Sequence, residues 1–150
     1  MRRAIGLSVE NVRAGSGGPF GAVIVKDGRV IAEGVNLVTS SNDPTAHAEI
    51  VAIREACRAL GRFHLNGCEI YTSCEPCPMC LGAIYWARLE RVFFGGTRAD
   101  AAQSGFSDVM IYEELASPLG ERGVPMEQLL REEALRAFEE WRQKEDRIDY

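Results

Sequence analysis

Residues 72–88 hold the side chains best suited to chemistry, and they read TSCEPCPMCLGAIYWAR. Within this stretch, Cys77 and Cys80 are three residues apart, which places them on one face of the first turn of a helix. Two thiols held in this way can bind one soft metal ion from the same side. They need a further ligand, and His47 in the upstream segment PTAHAE offers a neutral imidazole. The sequence therefore predicts a metal site made of His47, Cys77 and Cys80.

One imidazole and two thiolates are typical of a catalytic zinc site, which keeps its fourth position for water. Each part of the set lies at or near a predicted helix N-terminus, where backbone N–H groups and the helix dipole favour a thiolate. Glu49 follows His47 by two residues, and residues at this spacing point about 200° apart around a helix. The two therefore converge only if the metal lies beyond the first turn, and Pro44 and the polar loop before it predict a helix start there. Glu49 is then suited to proton transfer rather than to metal binding.

Each of these features also has a purely structural explanation. A single histidine on an amphipathic helix is usually a packed or surface residue, and a Cys-x-x-Cys pair also occurs in structural zinc and redox sites. A glutamate in a first helical turn often only complements the helix dipole. The combination favours catalysis, because His-x-Glu followed by Pro-Cys-x-x-Cys is the pattern of zinc-dependent base deaminases.

The three remaining cysteines are not predicted to bind the metal. Cys74 belongs to the turn before the helix, and we expect it beside the ligands or in a structural role. We expect Cys57 and Cys68 in or near the core.

The composition is that of an ordinary globular protein. The chain has 150 residues, of which 46% are apolar and 26% charged, which suits a single domain with a real core. No apolar run is long enough for a membrane span, and the first residues do not form an export signal. We therefore expect a cytoplasmic protein whose five cysteines are reduced thiols and metal ligands. The net charge of −5 argues against strong binding to nucleic acid.

The apolar pattern of the first half predicts a helix, a hairpin and a second helix. Residues 2–14 have helical spacing, with Ile5, Val9 and Val12 on one face. Apolar runs at 20–25 and 30–35 flank a turn signal, Asp-Gly, which predicts two antiparallel strands. A second helix over 46–60 ends at a glycine.

In the second half, a strand at 69–73, a helix from residue 77 to about 88 and a strand at 92–95 predict a parallel crossover. Residues 120–125 form a break that we expect to hold a short edge strand, and 127–143 form an amphipathic helix. The apolar stripe of that helix is Leu130, Ala134, Phe138 and Trp141. Together these elements predict a three-layer α/β/α fold around a central mixed sheet of about five strands.

The motifs resemble the cytidine-deaminase-like superfamily, and within it the bacterial guanine deaminases. The segments that carry the resemblance are GPFGAV at 18–23, TSSNDPTAHAE at 39–49, TSCEPCPMCLGAIYWA at 72–87, AA at 101–102, GFSD at 105–108 and the final tyrosine. The resemblance covers nearly the whole chain, with a looser match over 117–149. It implies a hydrolase of purine metabolism that holds one zinc ion per subunit and converts guanine to xanthine and ammonia.

The resemblance also implies roles for individual residues. Glu49 would take a proton from the attacking water and deliver protons to the ring nitrogen and the departing amine. Asn36 corresponds to an asparagine that hydrogen-bonds the edge of the base, and Phe20 and Trp86 correspond to aromatic walls of the pocket. Asp108 corresponds to an acidic residue that contacts the purine, which suits the N–H donors of guanine and makes it a second candidate catalytic residue.

The C-terminal tail is the last feature that the resemblance concerns. In the family this tail closes the site, and in some members it comes from the partner of a domain-swapped dimer. By this resemblance, Tyr150 closes the site, and residues of about 117–150 are exchanged within a homodimer. A tail over the sugar-bearing edge of the ring would favour the free base over the nucleoside. The alternative is a frayed terminus, as in most proteins.

Other functions remain open at this point. Cytosine, guanosine and aminotriazines are alternative substrates, because selectivity in such a pocket rests on few hydrogen bonds. A tRNA adenosine deaminase shares the HAE and PCPMC motifs, but the acidic balance and the lack of a basic C-terminal helix argue against it. A non-catalytic zinc-binding module is the alternative from another class. The favoured partner is a small-molecule purine base, with no membrane and no nucleic acid.

Overall fold

The computed structural model describes residues 1–149. Its helices and strands, in chain order, are α1 (Arg2–Arg13), β1 (Gly21–Lys26), β2 (Arg29–Val35), α2 (Val38–Ser41), α3 (Ala48–Leu60), β3 (Cys68–Cys74), α4 (Pro78–Trp86), β4 (Arg91–Gly96), α5 (Arg98–Gln103), α6 (Val109–Ala116) and α7 (Arg131–Gln143). The chain divides into two units, the first ending at Val109 and the second beginning at Met110. Among the residues described, no helix combines the length and the apolar character that a membrane crossing requires.

The sheet of the first unit has the strand order β2-β1-β3-β4. Strand β1 pairs antiparallel with β2 and β3, and β3 pairs parallel with β4. The predicted hairpin is confirmed, and its turn residues Asp27 and Gly28 both have positive φ, 49° and 73°, as a type I′ turn requires. The crossover from β3 through α4 to β4 is also confirmed.

The prediction of about five strands is one too many, because residues 1–149 form a sheet of four strands. The segment at 120–125 holds no strand and begins inside a 3₁₀ turn, Leu119–Glu121. Its two glycines and one proline explain the difference, since glycine weakens a strand and proline cannot donate to its ladder.

Helices cover both faces of the sheet, which confirms the three-layer α/β/α prediction. On one face, Ala4 and Leu7 of α1 pack with Val23 of β1. Ile24 follows Val23 along the strand and therefore points to the opposite face, where α3 and α4 pack. The buried residues of that second face include Ala22, Ile24, Ala48, Ala52, Ala56, Ile70 and Ile84.

Helix α1 is present as predicted, but the prediction of its packing face was wrong. Ile5, Val9 and Val12 are exposed, whereas its buried residues are Ala4, Leu7, Ser8 and Asn11. The reason is a close approach between helix and strand. A Cβ atom added to Gly21 of β1 would lie only 2.4 Å from the carbonyl oxygen of Ala4. The backbone contact at Gly21 thus fixes the face of α1 that carries Ala4, Leu7 and Ser8 against the strand, and Ile5, Val9 and Val12 lie on the outer side.

Helices α3 and α4 begin at the HAE and PCPMC motifs. Helix α3 starts at Ala48, two residues later than predicted, and ends as predicted at Leu60, where Gly61 follows with a left-handed φ of 62°. Helix α4 starts at Pro78, one residue later than predicted. As expected, Cys68 is buried in the core.

Helix α7 lies in the second unit and begins later than predicted, at Arg131. Leu130, just before it, has a left-handed φ of 49°, which interrupts any helix from residue 127 onward. None of the residues of α7 is buried, and Phe138 on its apolar stripe is 62% exposed. The helix therefore presents its apolar stripe to the surroundings.

Candidate active site

The predicted metal ligands His47, Cys77 and Cys80 lie together. Nδ1 of His47 is 3.5 Å from Sγ of Cys77 and 3.5 Å from Sγ of Cys80. All three candidate ligand atoms lie within 4.8 Å of one another. In a tetrahedral zinc site, a nitrogen ligand and a sulfur ligand are about 3.6 Å apart. The three donors thus fit zinc, and a tetrahedral ion would keep a fourth position for water.

Two helix starts position these ligands. His47 is the N-cap of α3 and Cys77 is the N-cap of α4, and both have extended backbone angles that turn the chain into the helix. Cys80 lies in the first turn of α4, and Pro78 opens that helix at a position where no N–H donor is needed. The positive ends of both helix dipoles therefore point towards the thiols, which favours their ionised form.

Hydrogen bonds within the cluster determine where its protons lie. The pKa of Cys77 is lowered to about 4, chiefly because the Cys80 thiol donates to its sulfur and also because His47 bonds to it. The pKa of Cys80 is raised by that same bond, since Cys80 keeps the proton that it donates. The pKa of His47 is raised by its bond to Cys77. Zinc takes thiolates and a neutral imidazole, so binding displaces any proton held on Cys80 or His47.

Glu49 lies beside this cluster, in the first turn of α3, and its side chain is buried. Burial raises the pKa of its carboxyl group, although a hydrogen bond with Cys80 acts in the opposite direction. A carboxyl group with a raised pKa can accept a proton and return it at a pH closer to neutral. The position and the environment of Glu49 therefore suit proton transfer.

Asn36 follows strand β2 and is buried. Its side-chain oxygen Oδ1 accepts hydrogen bonds from the backbone N–H groups of Gly18 and Val38, each at 3.3 Å. Because both neighbours are donors, the oxygen must face them, and this fixes the orientation of the amide. The –NH₂ group of Asn36 takes no part in these two bonds and can donate to a ligand.

Phe20 contacts a second aromatic ring that the sequence analysis did not single out. Its ring meets that of Phe106 edge to face, with centroids 5.0 Å apart and planes at 86°. Phe106 comes two residues before Asp108 in the GFSD motif. The signal that could have identified Phe106 is that it is an aromatic residue inside a motif that carries the family resemblance. Asp108 is half-buried immediately before α6. Its contact with a purine stays a prediction.

The remaining predicted positions are Trp86, Tyr150 and Cys74. Trp86 is the last residue of α4 and is 70% exposed. Tyr150 lies outside the described residues. Cys74 does not belong to the ligand cluster, and its thiol donates to the carbonyl oxygen of Thr97 at 3.5 Å. The roles of Trp86 and Tyr150 stay predictions.

Comparison with known proteins places this fold and site in a class. The family model of the cytidine and deoxycytidylate deaminase zinc-binding region matches residues 1–96. The chain belongs to this family of zinc-dependent deaminases. Along its whole length it is also similar to a particular member, the guanine deaminase of Bacillus subtilis, with 56% identity over 150 residues that cover 100% of this chain and 96% of the relative.

Solved structures and a second group of relatives complete the comparison. The X-ray structure of guanine deaminase from Bacillus subtilis superimposes with a TM-score of 0.97 and 56% identity, covering 99% of this chain and 95% of that one. The tRNA-specific adenosine deaminase of Agrobacterium fabrum is 49% identical over 89 residues, which are 58% of this chain and 59% of that protein. The similarity to the tRNA enzyme thus extends over a smaller part of both chains.

Proposed function

We propose that this protein catalyses the hydrolytic deamination of guanine to xanthine and ammonia in the cytoplasm. The observation that carries the proposal is the 56% identity with the guanine deaminase of Bacillus subtilis over the entire chain. That identity includes the part beyond residue 96, where the general family model no longer matches. Residues outside the shared zinc-binding region, which include the 105–108 motif, are those expected to distinguish substrates within the family.

The chemistry divides between the metal and one carboxyl group. His47, Cys77 and Cys80 would hold one zinc ion, which when bound supplies a water that is acidic enough to act as a nucleophile at neutral pH. Glu49 would accept a proton from the attacking water and pass protons to the ring nitrogen and then to the departing amine. Burial beside the cluster suits this role, because the raised pKa of Glu49 lets it hold the proton between the two transfers.

The base is read by groups with complementary hydrogen-bonding character. Asn36 offers its –NH₂ group as a donor, because its oxygen is already bonded to two backbone N–H groups. Asp108 offers acceptors for the N–H donors of guanine. Phe20 and Phe106 form an aromatic wall beside Asn36, and Trp86 adds a further aromatic surface at the end of α4. A purine base presents both acceptors and donors, so this set suits guanine.

We further propose that the protein is a homodimer in which residues 117–150 of each subunit close the site of the other. The support is the apolar stripe of α7, which includes Phe138 and Trp141 and has no buried residue within its own chain. An exposed stripe of this kind usually marks an interaction surface. Tyr150 would then cover the sugar-bearing edge of the base, which favours free guanine over guanosine.

The direct test is a balance of substrate and products. We expect zinc-loaded protein to convert each guanine into one xanthine and one ammonia, as measured by chromatography and by an ammonia assay. Protein stripped of metal by a chelator should be inactive and should recover on addition of zinc. Zinc-loaded protein that forms no xanthine would contradict the proposal.

Deamination of adenosine in tRNA is the second candidate, supported by the 49% identity with the Agrobacterium fabrum enzyme. The net charge of −5 weighs against it, because an RNA substrate needs phosphate contacts from basic residues. A tRNA anticodon stem-loop separates the two functions. Inosine formed from the stem-loop, with no turnover of guanine, would replace guanine deamination as the function.

A further inference from the structure

We propose that Asn11 of helix α1 is a positioning residue, which holds Asn36 and the loop before Phe20 in the arrangement that binds the base. This inference rests on the proposed function, because it takes Asn36 as the group that reads the base. Asn11 is 4% exposed and lies on the face of α1 that packs against the sheet. It is therefore a buried polar residue whose hydrogen bonds need an explanation.

Both partners of Asn11 belong to the candidate base-binding region. Its side-chain nitrogen Nδ2 donates to the carbonyl oxygen of Gly18 at 2.9 Å and to the carbonyl oxygen of Asn36 at 2.9 Å. These two bonds use both hydrogens of the amide nitrogen. Gly18 in turn donates its N–H to Oδ1 of Asn36. Asn11, Gly18 and Asn36 thus form a closed ring of hydrogen bonds.

This ring determines how Asn36 presents itself to a ligand. The N–H of Gly18 is one of the two donors that orient the side-chain amide of Asn36. Asn11 holds Gly18 in place by donating to the carbonyl oxygen of Gly18. The carbonyl oxygen of Gly18 also accepts the N–H of Phe20 at 2.8 Å. One asparagine on α1 therefore fixes the backbone that sets both the amide of Asn36 and the start of the aromatic wall.

The loop that holds Gly17 and Gly18 packs tightly against Asn36. A Cβ atom added to Gly17 would lie 2.0 Å from the carbonyl oxygen of Asn36 and 3.3 Å from Nδ2 of Asn11. The loop is therefore pressed against Asn36 and leaves no room for a side chain. Without the Asn11 donor, the buried carbonyl of Asn36 loses its hydrogen bond, and the strand end and the loop must shift to expose it.

The test compares Asn11→Leu with Ser8→Ala in the zinc-loaded enzyme. Leucine has a branched side chain of similar shape at position 11 and favours the helix more than asparagine does, but it cannot donate a hydrogen bond. Ser8 is the matched control, because it is buried on the same face of α1 and its hydroxyl bonds only within the helix, to the carbonyl oxygen of Ile5. We expect N11L to raise the KM for guanine and the Ki of xanthine by about tenfold, with a smaller change in kcat, as for the loss of one or two hydrogen bonds. Zinc content should be unchanged, and S8A should leave both constants within about twofold of wild type.

A double-mutant cycle with Asn36→Ala separates positioning from general destabilisation. If Asn11 acts through Asn36, N11L should raise KM by less than about twofold once Asn36 is absent. An equal effect of N11L in both backgrounds would overturn the inference. An N11L enzyme with a lower Tm but unchanged KM and Ki would also overturn the inference.

Hydrogen exchange keeps this inference separate from the proposed function. The backbone amides of Gly18 and Val38 should exchange faster in N11L than in wild type and S8A, because Asn36 Oδ1 is no longer held against them. Unchanged exchange at both amides would refute the role of Asn11 whatever the substrate. If another base replaces guanine as the substrate, the proposed function fails, and the same kinetic comparison applies to that base.

Discussion

Glu49 carries the proton transfers in this account, and its environment supports that role more directly than its position in the sequence does. It is buried at the start of α3 beside a thiol pair and an imidazole, and burial raises its pKa. A buried carboxyl group costs stability, so its place beside the candidate metal ligands supports the proposed chemical role.

We therefore expect Glu49→Gln to lower kcat for guanine by about a thousandfold, because glutamine has the same shape but cannot carry the proton. Zinc content and Tm should stay close to wild type. Glu55→Gln is the matched control, since Glu55 lies on the same helix but is only partly buried and pairs with Arg58. A Glu49→Gln enzyme as active as Glu55→Gln would remove Glu49 from the mechanism.

The protons in the metal-free cluster predict how zinc affinity depends on pH. The pKa values of Cys80 and His47 are raised, so both groups are protonated over a wider pH range than usual, and zinc must displace those protons. Lowering the pH favours the protonated, metal-free form, and zinc affinity should fall by about tenfold per pH unit for each proton displaced. Competition with a chromophoric chelator of known pH dependence measures this. An affinity independent of pH would contradict the assigned ligands. The control is Cys57→Ser, which lies outside the cluster and should bind zinc with the same affinity and pH dependence as wild type.

At the scale of elements, the site depends on how closely α3 approaches the sheet. Gly34 of β2 lies against the first turns of this helix, and a Cβ atom there would be 2.2 Å from the carbonyl oxygen of Ala48. The same atom would be 2.6 Å from the backbone nitrogen of Ala52. This contact sets the distance at which the N-terminus of α3, and with it His47, is held from the sheet.

Two glycine substitutions should have opposite effects on stability. We expect Gly34→Ala to lower the free energy of unfolding by about 3 kcal/mol, because its Cβ meets rigid backbone on α3. Gly82→Ala is the control within α4, where a Cβ would meet nothing within 4 Å, and it should raise stability by about 0.5–1 kcal/mol through helix propensity. Urea denaturation measures both. A neutral Gly34→Ala would show that α3 is not held at this distance.

The sequence was most informative where chemistry is local. His-x-Glu and Pro-Cys-x-x-Cys each lie within one helix start, so their spacing alone indicated the ligand cluster that the fold brings together. The packing face of α1 could not be predicted in the same way, because it depends on the close approach of the helix backbone to Gly21 in β1, which is distant in sequence. Asn11 was missed for a related reason, since its two partners are Gly18 and Asn36, which are distant in sequence. The prediction of a fifth strand was wrong because the number of strands depends on pairing between segments that are distant in sequence.

At the scale of the whole molecule, the proposal to test is the exchange of C-terminal tails within a homodimer. The proposed exchange of residues 117–150 makes each active site depend on two chains. Mixed dimers test this directly. One subunit carries Glu49→Gln with a complete tail, and the other keeps Glu49 but ends before Tyr150.

If tails are exchanged, the mixed dimer has one site with both Glu49 and a closing Tyr150, and we expect about half of the wild-type activity per dimer. The two parent homodimers, each defective in every site, are the controls. A mixed dimer no more active than the sum of its parents would show that each tail serves its own subunit.

The central claim, that guanine is the preferred substrate, is tested most directly by competition in a single reaction. Zinc-loaded protein is given equal concentrations of guanine, guanosine, adenine, cytosine and a diaminotriazine, and the products are followed by chromatography, which yields the ratios of kcat/KM. Xanthine should form at least about a hundredfold faster than any other product, because the other substrates leave donors or acceptors of the site unpaired. Preferential deamination of any other compound in the mixture would contradict the account.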